Sequence, residues 1–78
     1  MNELILREFN EKQIIYYYLP EGKGSPGEVV YNFISGETII SERAQNDDYG
    51  RYGQYAVRRV TEYIDKQNLP MKAIQAWN

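Results

Sequence analysis

Residues Ile14-Ile15-Tyr16-Tyr17-Tyr18-Leu19 set six large side chains in succession, closed by Pro20. Successive side chains of a strand point to opposite faces of its sheet. The run therefore sends Ile14, Tyr16 and Tyr18 one way and Ile15, Tyr17 and Leu19 the other. One side can pack on a core. The other must be covered by something else or stand as a sticky, tyrosine-lined surface, and the alternation does not say which side is which.

A chain of 78 residues is read as one domain. At this length a core needs help from disulfides, metals, oligomers or unusually good packing. The chain has no cysteine and no histidine, which rules out disulfides and argues against a zinc site, since those two residues supply nearly all structural zinc ligands. Packing and self-association remain. Eight tyrosines favour both, because each buried ring removes on the order of 150–250 Å² from water.

Around the aromatic run the pattern is that of an antiparallel sheet. Glu3 to Phe9 alternates as a first strand, with Leu4, Leu6 and Glu8 on one face and Ile5, Arg7 and Phe9 on the other. A short helix is its rival, since Glu, Leu and Arg also favour helix. Asn10-Glu11-Lys12 is a tight polar turn into the second strand, Gln13 to Leu19. Pro20 to Gly27 is a loop, because its three glycines and two prolines suit neither helix nor sheet. Glu28 to Ile34 is β-branched and aromatic, and places Val29, Tyr31 and Phe33 together. Ser35-Gly36 then turns the chain into a fourth strand, Glu37 to Arg43, with Ile39 and Ile40 on opposite faces.

Beyond a polar connection at Ala44 to Asp48, the period changes to that of a helix over Tyr49 to Gln67. Tyr52, Ala56, Val60 and Tyr63 form its inner line, with Gly53, Val57 and Ile64 beside it. Asp47 or Asp48 can cap its free amides, and Asn68 and Pro70 end it. Met71 to Trp77 can form a last strand with Met71, Ala73 and Trp77 on one face and Ile74 on the other; so much apolar surface at Trp77 is expected to pack down. The order predicts an α+β fold: a mainly antiparallel sheet of four to five strands with one long amphipathic helix on one face, β-β-β-β-α-β, or α-β-β-β-α-β if residues 3–9 are helical.

The chain is thin in chemistry. Gly22-Lys23-Gly24-Ser25 resembles a phosphate loop only in part, since Gly24 stands where Ser or Thr should follow the lysine and a strand follows instead of a helix. Glu21, Glu28, Asp47 and Asp48 lack metal-loop spacing, and Asp47-Asp48 is better explained by helix capping. Without Cys or His, a serine nucleophile would need a lysine base. The expectation is a non-catalytic module with no cofactor; a small-ligand site or enzyme at the glycine-rich loop is the weakest alternative.

Two surfaces stand out instead. The uncovered side of the sheet is expected to show Tyr16, Tyr17 or Tyr18, and large exposed apolar patches mark contact sites. The outer helix face groups Arg51, Tyr55 and Arg58, with Arg59 at its flank, a combination suited to a protein partner or to stacking on bases. The net charge of −2 makes nucleic acid the lesser reading. The preferred partner is a protein, including a second copy in a homodimer. No apolar run is long enough for a membrane span and no signal peptide is evident, so a cytoplasmic location is expected.

Overall fold

A computed structural model describes residues 1–77. Among these the chain forms β1 (Asn2–Phe9), β2 (Gln13–Pro20), β3 (Gly27–Asn32), β4 (Thr38–Glu42), α1 (Arg51–Asp65) and β5 (Lys72–Gln75). The strands make one five-stranded sheet in the order β4-β3-β2-β1-β5, antiparallel at every pairing, with α1 laid across one face. This is the expected α+β fold. The helical alternative for residues 3–9 does not form. β1 lies between β2 and β5, and pairing on both edges outweighs helix propensity.

The β1–β2 and β3–β4 turns close through asparagine side chains. Asn10 Oδ1 accepts from the amides of Lys12 and Gln13 at 2.8 and 3.0 Å. Asn32 Oδ1 accepts from Ile34 and Ser35 at 2.8 and 3.1 Å. The second of these shortens the predicted strands: β3 stops at Asn32 rather than Ile34, because a side chain has taken amides that a ladder would need. Gly36, at φ 73°, completes that turn.

A bulge between Leu6 and Glu8 leaves Arg7 unpaired and reverses the alternation beyond it. Phe9 therefore lies opposite Ile14, and Glu8 opposite Ile15. The expected grouping of Phe9 with Ile5 and Arg7, and of Glu8 with Leu4 and Leu6, is overturned by that one extra residue.

The helix is shorter at both ends than its period predicts. Gly50, at φ 72°, precedes its first turn, and Asp47 serves as the acceptor from a distance: Oδ1 takes the Tyr52 amide at 3.1 Å and Oδ2 the Gly53 amide at 2.9 Å. At the other end Gln67 adopts φ 54°, its amide donating to the Ile64 carbonyl and that of Asn68 to Tyr63. This is the Schellman arrangement, with glutamine where glycine is usual. The chain then returns as β5. β5 runs only from Lys72 to Gln75, so Met71, which is exposed, and Trp77 both lie outside the strand, and the expected common strand face of Met71, Ala73 and Trp77 does not form. Trp77 packs down as expected, stacked on Tyr55 at 4.2 Å and edge-on to Tyr52 at 5.4 Å.

Candidate interaction surface

The covered side of the sheet holds Leu4, Ile14, Tyr16, Tyr18 and Val29 against Ala56 and Val60 of α1. Tyr16 and Tyr18 are fully buried and take no part in any contact surface. Their phenols are held inside by specific acceptors. Tyr16 donates to the Pro70 carbonyl at 2.6 Å, and Tyr18 to Asp47 Oδ2 at 2.9 Å. Burial pushes both up to about 12; the nearby Tyr63 adds to this for Tyr16, while for Tyr18 the Ala44 amide pulls down and Asp47 pushes up.

Tyr17 is the tyrosine of the run that faces away from the helix. It lies half-buried in a cross-strand row made of Glu42, Glu28, Tyr17, Ile5 and Lys72, in sheet order. A second row carries Ile39, Val30, Ile15 and Glu8, and a third Leu19, Glu3 and Ile74. The Arg7 guanidinium lies 5.4 Å from the Tyr17 ring centroid. The result is an apolar centre flanked by charge, with no helix over it among the described residues. Ile39 and Ile74 are each 53% exposed. The contact residues expected on the sheet are tyrosines, whereas the surface found is largely aliphatic. The signal of the aliphatic residues is present in the same two-residue alternation, but only pairing shows that Ile5, Val30 and Ile39 join Ile15 and Tyr17.

The outer helix face differs from expectation at Tyr55. That ring is half-buried, with Trp77 stacked on it and the Arg58 guanidinium 5.8 Å from its centroid. It has little free face for a base. Arg51 and Arg58 are exposed, with no carboxylate within 4 Å among the described residues, whereas Arg59 is partly covered and pairs with Glu62 at 3.3 Å. The structure thus brings Arg51, Tyr55 and Arg58 together and gives Arg59 a separate partner.

The glycine-rich loop is tied into the molecule. The amides of Gly22, Lys23 and Ser25 donate to the Leu19 carbonyl, the Pro20 carbonyl and Gln45 Oε1, so they do not converge on a shared point. Glu21 accepts from the Met1 ammonium at 2.7 Å and from Tyr52 at 2.8 Å; these bonds, the ammonium's first, lower its carboxyl below the usual range. The same carboxylate raises the Tyr52 phenol. No group of acidic residues suited to a metal occurs among the described residues.

One concavity has no counterpart in the sequence pattern. A cleft of about 600 Å³ opens between the helix C-terminus and the sheet, lined by Leu6, Phe9, Ile14, Phe33, Ile64 and Leu69. The bulge that turns Phe9 toward the helix side creates one of its walls. No helix is long and apolar enough to cross a membrane among the described residues. Comparison with protein-family models, curated proteins and solved structures finds no match for this chain.

Proposed function

We propose that this chain is a non-catalytic protein-binding module, and that the helix-free face of its sheet is the surface it binds with. One observation carries the reading. The sheet has an apolar residue at the centre of both faces, and the single helix covers one of them. Ile5, Tyr17, Leu19, Val30 and Ile39 surround Ile15, which is itself buried, and form a patch with a charged border, the apolar-core and polar-rim layout of protein interfaces. The Arg51/Arg58 stripe supports the lesser, nucleic-acid reading through phosphate contacts, but stacking of Tyr55 on Trp77 weighs against base recognition there.

A photo-crosslinking side chain installed at Ile39 or Ile74, and at Tyr49 as an exposed control outside the sheet, tests this in living cells. Protein adducts from the two sheet positions and none from Tyr49 are expected. Absence of adducts at both sheet positions overturns the reading.

A further inference from the structure

We infer that the partner on the open face is a second copy of this chain, stacked face to face about a two-fold axis that runs along β2. This rests on the preceding assignment of that face as a binding surface.

The first ground is an unresolved repulsion. Glu28 and Glu42 are cross-strand partners of β3 and β4 on the open side, next to a register shift that leaves Ser41 unpaired, and neither has a basic group within 4 Å among the described residues. Like charges facing each other across a strand pair destabilise a sheet. A cation brought from outside would relieve them.

The second ground is where this chain keeps such cations. β2 is the middle strand of five, and the row through Tyr17 carries both acids at its β3/β4 end and Lys72 at its β5 end. A two-fold axis along β2 keeps strand position and exchanges the sheet edges. It lays Lys72 of each copy over Glu42 of the other. Arg7 on β1 comes over the strand that carries Glu28, and the two Tyr17 rings meet near the axis. Lys72 now contacts Glu3 at 3.3 Å along its own sheet with most of its side chain in solvent, so it is placed to serve a second carboxylate. The other acids of that half are already engaged, since Glu8 accepts from Asn10 and Gln13 at 3.1 and 2.6 Å.

Dimensions agree. Stacked sheets lie about 10 Å apart, a gap that extended Lys and Glu side chains span between them. The usual packing angle of about 30° displaces the edge strands by roughly 5 Å, within reach of a lysine stem. The molecule measures 30 × 20 × 18 Å, and a sheet of this breadth buries on the order of 1,000–1,400 Å² in total, at the lower edge of stable interfaces. A dimer of micromolar strength, sensitive to salt, is the expectation that a concentration series tests.

The test is a pair of charge reversals followed by sedimentation equilibrium from about 1 to 500 µM. The wild-type chain is expected at twice its 9.2 kDa mass at the upper concentrations. Glu42→Lys and Lys72→Glu, both at exposed positions, are each expected to weaken the dimer about tenfold or more while circular dichroism stays native. An equimolar mixture of the two variants regains the dimer, because each then supplies what the other lacks. So does the chain carrying both changes. Wild-type protein that stays at 9.2 kDa throughout overturns the proposal. So does a dimer that neither reversal touches, or one that the mixture fails to restore. If the chain is a monomer yet crosslinks from Ile39 or Ile74 to a different protein, the binding surface stands and the second copy does not. If it is a monomer without adducts, both fall.

Discussion

The hydroxyl of Tyr18 donates to Asp47 Oδ2 at 2.9 Å while accepting from the amide of Ala44 at 3.1 Å. Asp47 in turn accepts the amides of Tyr52 and Gly53. One phenol on the central strand thus fixes both the start of the β4–α1 connection and, through Asp47, the start of the helix, deep enough that Asp47 is almost wholly out of solvent. Every group in the chain of bonds is satisfied, which is the condition under which a buried polar network stabilises rather than harms.

Tyr18→Phe is therefore expected to destabilise the fold by about 2–3 kcal/mol, since it strands the Ala44 amide and removes one donor from Asp47. Asp47→Ala leaves two helix amides without acceptors and should cost at least as much. The two changes share a bond, so their combined effect falls short of the sum by about 1 kcal/mol or more. Urea unfolding of the two single variants and the double variant measures this. A strictly additive result would mean that the two groups act independently.

The Tyr18 ring also sets the identity of its cross-strand neighbour. A Cβ built on Gly27 would stand 2.2 Å from Tyr18 Cε1 and 2.6 Å from the Ala44 amide nitrogen. Ring and backbone are both held, so neither can move aside. Gly27→Ala should destabilise by about 3 kcal/mol or prevent folding, although alanine ordinarily suits a strand better than glycine. Combining Gly27→Ala with Tyr18→Leu removes the clash with the ring but not the one with the Ala44 amide, so the combined loss is expected to fall short of the sum of the two single losses. Equal stability of Gly27→Ala and wild type by thermal melting would contradict the close approach.

These two contacts show why the elements were legible in the sequence and the faces were not. The alternation over residues 14–19 was enough to place Tyr16 with Tyr18 and Tyr17 with Ile15. Which set goes inside depends on Gly27 leaving room for a ring and on Asp47 lying where a hydroxyl needs an acceptor. Both partners are distant in sequence and look like loop residues. Gly27 reads as part of a turn and Asp47 as an ordinary cap. The bulge at Arg7 is equally silent, and it alone moves Phe9 to the other face. Tyr55 looked exposed because its helical position is outward; only the return of the chain to Trp77 covers it.

Gln67 marks a place where the backbone is less stable than it could be. A non-glycine residue in the left-handed region at φ 54° is strained by about 1 kcal/mol, partly offset by the two carbonyls that the Schellman bonds satisfy. Gln67→Gly is expected to raise stability by about 0.5–1 kcal/mol, and Gln67→Val to lower it. The midpoint of urea unfolding decides. A stabilising valine would mean that residue 67 does not hold this conformation in solution.

Alkaline titration reads the buried tyrosines directly. Tyr16 and Tyr18 ionise at about 12 in the folded chain against an ordinary value of 10.0, chiefly because burial disfavours the phenolate. The folded state thus binds these protons more tightly than the unfolded state does. Their stabilising contribution is complete below pH 10 and is lost as pH rises from 10 through 12. The urea midpoint should therefore fall across that window. Part of the tyrosinate absorbance should appear only above about pH 11, together with the loss of far-ultraviolet circular dichroism. Tyr16→Phe removes one of the two late protons and should make the fall shallower, at the expense of the bond to the Pro70 carbonyl. Complete ionisation near pH 10 with the dichroism intact would place both rings in solvent. That result would reverse the assignment of faces, because the side of β2 now read as open would then be the one beneath the helix.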